Sequence, residues 1–142
     1  MKKLAVLGFL LFASLSIFGQ EQSGIHDNKP YIIKSVYFGG GRYYIDLQQR
    51  EEIAKFLEEV IIENYEIHIH SHTDNVGGVE YNQWLSKMRS EAARQMLQDL
   101  GIPLHQLFIK DHGLFNPDFD NDSWEGRRRN RRVDIVLWPL PA

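Results

Sequence analysis

The spacing of apolar residues changes once, abruptly, between residues 65 and 100. That change constrains the fold more than any other feature of the chain. Over Tyr65 to His72 (YEIHIHSH) apolar residues alternate, the two-residue period of a strand with one face on a core. From about Val79 to Leu100 they recur at helical spacing. Leu85, Met88, Ala92, Met96 and Leu100 form a stripe, with Ala93 and Leu97 beside it. Asp74 to Gly78 is the turn between the two, and Gly101 and Pro103 stop the helix. A strand feeding a helix through a short glycine turn belongs to a sheet with helices packed on it, and such sheets hold ligands at their strand ends. Asp74 lies just past the strand and Asn82 near the helix start. Arg89 lies seven residues on, two turns along the same helix face. A carboxylate and a guanidinium facing one cleft suit a ligand that carries both an ammonium and a carboxylate.

The rest of the chain supplies the partners of this unit. Tyr31 to Phe38 (YIIKSVYF) is rich in β-branched and aromatic residues and reads as the first strand. Gly39, Gly40 and Gly41 end it, either as a flexible turn or as a place of close backbone approach. Asp46 to Glu63 reads as a helix whose apolar face is Ile53, Phe56, Leu57, Val60 and Ile61. Leu107 to Lys110 is a short third strand. Asp111 to Ser123 is a polar loop. Trp124 to Asn130 is a short helix or ordered turn, and Arg131 to Trp138 is the last strand. The expected fold is therefore α/β, a two-layer sandwich of order β-α-β-α-β-β, with helices on one face of a mixed sheet. The helical crossovers make the first three strands parallel, and the last runs antiparallel to a neighbour.

At 142 residues the chain has room for one domain with a core. Lys2 and Lys3, the apolar run Leu4 to Phe18 and a small residue at Gly19 predict a signal peptide over 1–19, against the alternative of an uncleaved anchor. Residues 20–30 read as a disordered or extended lead-in, and 31–142 as the domain. The chain has no cysteine, so it forms no disulfide or thiolate metal site, and its net charge of -3 gives no general attraction to nucleic acid.

Two spaced blocks stand out: His72, Thr73, Asp74, Gly77, Asn82, Leu85, Ser86 and Arg89, then Asn121, Ser123, Gly126, Arg127, Asn130, Arg131, Arg132 and Val133. In these blocks the chain resembles the OmpA-like domain family, the peptidoglycan-binding domains of outer-membrane protein A, peptidoglycan-associated lipoprotein and the flagellar stator protein B. The resemblance covers roughly residues 33 to 138. It implies a non-catalytic module that binds peptidoglycan through the diaminopimelate of the stem peptide, in the periplasm or at the outer membrane. By that resemblance Asp74 takes the ligand's ammonium and Arg89 its carboxylate. Asn82 and Thr73 position the turn or the ligand, and the loop with Gly41 forms a further wall. No cofactor is implied. The chain departs from the family pattern at three places: the glycines at 39–41, the loop Gly113 to Pro117, and Ser71 in place of a glycine. These departures motivate the alternative, an envelope protein-protein interaction module with a vestigial peptidoglycan site, to which Trp84, Phe115 or Phe119 would contribute.

The same residues admit other roles. Asp74 and Arg89 could instead pair with each other. His68, His70 and His72 share one strand face. Two of them could bind zinc or nickel, but no acid or cysteine at ligand spacing completes a site, so an exposed face that tolerates histidine is expected and no metal. For the basic run, Arg127, Arg131 and Arg132 are expected to pair with the aspartates of the 111–122 loop or with helix carbonyl ends, leaving Arg128 and Arg129 solvated. Ser71, His72 and Asp74 suggest a triad, but Ser71 and His72 point to opposite faces of a strand, so an enzyme is not expected.

Overall fold

The computed structural model describes residues 22–26 and 29–141. The expected signal at 1–19 lies outside the described residues. Five strands, β1 (Gln22–His26), β2 (Lys29–Tyr37), β3 (Tyr65–His72), β4 (Leu107–Gly113) and β5 (Arg132–Pro139), form one sheet of order β1-β2-β5-β3-β4. The helices are α1 (Leu47–Glu58), α2 (Val79–Asp99) and α3 (Trp124–Asn130).

β2, β3 and β4 run in one direction, as the crossovers require. β3 and β4 pair directly in parallel, and β5 lies antiparallel between β2 and β3. β1 falls in the segment 20–30, expected as a disordered or extended lead-in. It pairs antiparallel with β2 at the sheet edge. Its Ile25 is 78% exposed, so backbone bonds rather than a buried face hold it, and no hydrophobic period marks it in the sequence.

The core lies between the helices and one face of the sheet. Ile67 and Ile69 of β3, Val133, Ile135 and Leu137 of β5, and Val36 of β2 meet Ile53 and Phe56 of α1 and Ala93, Met96 and Leu97 of α2. Asp46 caps α1 by accepting from Gln49 N at 2.9 Å. Gln49 in turn accepts from Tyr37 N at 2.7 Å and donates to Tyr37 O at 2.9 Å, tying α1 to the end of β2. α1 stops at Glu58, short of the expected Glu63, and a 3-10 turn follows at Ile62–Asn64. The intervening Val60-Ile61-Ile62 is a β-branched run, which disfavours helix. Val60 and Ile62 still pack on the core, while Ile61 is 67% exposed and leaves the expected stripe.

α2 also differs from its expected stripe. Its buried residues are Asn82, Leu85, Ser86, Arg89, Ser90, Ala93, Met96 and Leu97, whereas Leu100 is 40% exposed. The first half of its inner face is polar. Ser86 Oγ shares a short hydrogen bond with Ser71 Oγ and accepts from Gly113 N at 3.1 Å. Asp111 Oδ1 accepts from Ser71 at 2.9 Å and Ser90 at 2.6 Å. This polar layer joins β3, α2 and β4 beneath the turn that carries Asp74.

Candidate functional site at the end of β3

Asp74 is held in place by its own turn. Thr73 N donates to Gly113 O at 2.8 Å, carrying the β3–β4 pairing one residue further, and Thr73 Oγ1 donates to Asp74 O at 3.0 Å. Asp74 Oδ1 accepts from Val76 N at 3.0 Å, which closes a local turn. Its Oδ2 accepts from Arg131 Nη1 at 3.2 Å. Asn82 donates through Nδ2 to Val76 O at 3.0 Å and Gly78 O at 3.1 Å, bracing the turn against the start of α2. Asn82 Oδ1 is buried without a hydrogen-bond partner. An unpaired buried acceptor of this kind is uncommon in folded proteins.

Arg89 has no exposed surface. Nε donates to Arg42 O at 2.9 Å, Nη1 to His72 O at 3.2 Å and Nη2 to Gly39 O at 3.2 Å. Its guanidinium lies over the Phe38 ring, 5.0 Å from the centroid. Burial lowers its pKa to about 10, against the opposing field of Asp74 and with the repulsion of Arg131, so it stays cationic at neutral pH. Arginine has five N–H donors. Three of them are engaged by these carbonyls.

The glycine loop forms the adjoining wall. Gly41 has φ +66°, which favours glycine, and a Cβ there would come 3.1 Å from the Tyr81 hydroxyl. Gly77 has φ +94°, and a Cβ on it would meet the Tyr81 ring at 2.8 Å. Tyr81 therefore seats against both glycine turns. Tyr43, Tyr81 and Trp84 continue the rim outward as an exposed aromatic group, with Trp84 5.7 Å from Tyr43 and 5.9 Å from Tyr81 between ring centroids.

The five residues expected from sequence thus converge at one strand end. The direct Asp74–Arg89 pairing does not occur: Asp74 pairs with Arg131, and Arg89 binds three carbonyls. The sequence places Arg131 against the acidic loop or helix carbonyl ends and does not reveal this role. Arg131 precedes β5, and its Nε also donates to Phe38 O at 3.1 Å. Only the pairing of β5 with β2 reveals that position.

Arg132 does pair with Asp118 of the loop, and also with Asp134 at 3.0 Å. Arg127 donates to Asn121 O at 2.8 Å. Arg128 and Arg129 are not simply solvated. They lie over Trp124 at 5.7 Å and Phe119 at 3.9 Å. Asn130 exchanges hydrogen bonds with the Phe119 backbone and donates to Asn121 Oδ1, so the second sequence block organises the loop that leads into β5. Phe119 is half-buried beneath Arg129 and Arg132, whereas Trp84 and Phe115 are exposed. Ser71 faces the helices and His72 the opposite face, so the two do not form a triad.

A strand-turn-helix site set in this five-stranded sheet defines a class. A family model described as the OmpA family matches residues 37–131, and the chain belongs to that family. It has the fold of the OmpA-like peptidoglycan-binding domains of envelope proteins, a non-catalytic class. It is 29% identical over 103 residues to the outer-membrane lipoprotein YfiB of Pseudomonas aeruginosa, a match covering 72% of this chain and 61% of that protein. It is 32% identical over 104 residues to outer membrane protein A of Bordetella avium, covering 73% of this chain and 50% of that protein. The chain therefore spans only 50–61% of the length of these relatives. Among solved structures, the peptidoglycan-associated lipoprotein from Burkholderia pseudomallei superposes with a TM-score of 0.63 at 30% identity, over 72% of this chain and 87% of that one. The periplasmic domain of Helicobacter pylori MotB gives a TM-score of 0.69 at 21% identity over 89% and 86%, a likeness of fold.

Proposed function

We propose that this domain binds peptidoglycan non-covalently, through the zwitterionic end of the diaminopimelate in the stem peptide, in the periplasm at the outer membrane. The observation that carries the reading is the charge balance of the site. One carboxylate, Asp74, stands among two guanidiniums, Arg89 and Arg131, so the site has room for a further anion. The ligand's carboxylate meets the guanidinium of Arg89. Its ammonium donates to Asp74, whose carboxylate has lone pairs beyond those used by Val76 N and Arg131. Asn82 Oδ1 is a second acceptor for that ammonium. Thr73 fixes the turn, and Gly41 keeps the wall low enough for approach. The domain, exported by a signal at 1–19, would then hold its envelope partner to the cell wall.

The test is co-sedimentation with purified sacculi. The full mature chain should pellet with diaminopimelate-type sacculi and stay in solution with lysine-type sacculi, which lack the second carboxylate. Asp74→Asn and Arg89→Lys, checked for folding by circular dichroism, should each lose pelleting at least tenfold. Equal pelleting on both sacculus types removes the diaminopimelate clamp. No pelleting at all favours the second reading, a docking module for another envelope protein. The exposed Tyr43, Tyr81 and Trp84 cluster supports that reading.

A further inference from the structure

The sheet face turned away from the helices carries a row of imidazoles. His68, His70 and His72 alternate along β3, and Ile67, Ile69 and Ser71 face the helices between them. β4 adds a fourth. Its register pairs His70 with Lys110 and Ser71 with Asp111, then slips, so that His72 pairs with Gly113. A slip of this kind re-aims the extra residue, here His112. His112 stacks on His72 with ring centroids 4.7 Å apart and presents Nε2 to His70 Nδ1 at 3.0 Å. The sequence could not supply this group, because His112 lies 42 positions from His70.

We propose that His70 Nδ1 and His112 Nε2 form the protein half of a surface site for a borderline divalent transition cation, zinc, nickel or copper, with water completing the coordination shell. Two imidazole nitrogens on one tetrahedral zinc lie roughly 3.3 Å apart, from Zn–N bonds of about 2.0–2.1 Å. The two rings therefore need to part by only a few tenths of an ångström. Both rings are half-buried, which leaves an open side for water. Burial is the largest influence on both and lowers the pKa of each, so both are held neutral, the form that ligates. Without metal the nitrogens share one proton in an N–H···N bond. On binding, that proton moves to the far nitrogen of its own ring, so two neutral rings lose none to solvent. Asp134, Asp111 and Asp118 favour a cation near these rings, and Lys110 and Arg132 oppose it. The neighbouring triangle of His72, Asp118 and Asp134 is a poorer site. The Arg132 guanidinium already bridges its two carboxylates and would have to leave.

The test is calorimetric titration of the tag-free, EDTA-stripped chain with zinc chloride at pH 7.5. Nitrogen-detected NMR of the imidazoles would run alongside. One equivalent should bind, and His70 Nδ1 and His112 Nε2 should both move to metal-bound shifts. His70→Ala and His112→Ala should each weaken binding at least tenfold, while His105→Ala, an exposed histidine elsewhere, should leave it unchanged. The proposal is overturned by absent heat, by binding that survives both variants, or by metal shifts at other histidines with the His70–His112 hydrogen bond intact. The sacculus experiment does not depend on this one.

Discussion

Arg89 shows how a side chain can be both scaffold and binding group. Its three donors reach the carbonyls of Gly39, Arg42 and His72, so the residue that would hold a ligand also joins the loop after β2 to the end of β3. Lysine at this position carries the same charge without the planar fork and cannot reach three carbonyls in three directions. Arg89→Lys should therefore destabilise the fold by about 2–4 kcal/mol, since buried acceptors lose their donors while a cation stays buried. Urea unfolding with an unchanged m-value would check it, and a change below about 0.5 kcal/mol would show that the carbonyl contacts are dispensable. The residue types of the site were legible in the sequence, because Asp74 lies just past one strand, and Asn82 and Arg89 lie two turns apart on one face of the helix it feeds. Their partners were not. Arg131 lies 57 positions from Asp74, and the acidic loop that precedes it is used by Arg132 instead.

At the scale of the element, α2 departs from the simple stripe for a physical reason. Counting apolar positions assumes that the buried face is apolar, and here its first half is not. Ser86, Arg89 and Ser90 turn inward because β3 and β4 present Ser71, the His72 carbonyl and Asp111 to them. Met88 and Ala92, chosen from the pattern, flank that face and are only partly buried. Ser71, where the family pattern has glycine, is the residue that brings a hydroxyl to this layer. Asp111→Ala would leave the Ser71 and Ser90 hydroxyls without their shared acceptor and should cost about 2 kcal/mol in urea unfolding. The Ser90→Ala, Asp111→Ala double variant should then cost less than the two single changes added, because both remove one interaction. Strict additivity would show that the layer is not a connected network. Asp111 touches neither Asp74 nor Arg89, so sacculus binding by folded Asp111→Ala should stay near wild type.

The whole molecule depends on its last strand. The shared direction of β2, β3 and β4 was legible, since their helical crossovers return each strand parallel, but the place of β5 was not, because strand order is set by pairing between segments far apart in sequence. β5 sits in the middle of the sheet, with β2 bonded to one edge and β3 to the other. It contributes Val133, Ile135 and Leu137 to the core, each fully buried. Its position also brings the preceding Arg131 to Asp74. Everything before residue 132 can therefore form helices and the β3–β4 pair, yet cannot close the sheet or complete the site. A chain ending at Arg131 should lack cooperative thermal unfolding and show a collapsed amide proton spectrum. Adding a peptide of residues 132–142 in excess should restore dispersion, because it supplies both missing ladders and the centre of the core. Restored dispersion should bring back sacculus binding with it, since Arg131 is then held beside Asp74. If the truncated chain alone gives a dispersed spectrum and a cooperative transition, β5 is an accessory to a sheet that closes without it, and the central position it occupies is not what holds the fold together.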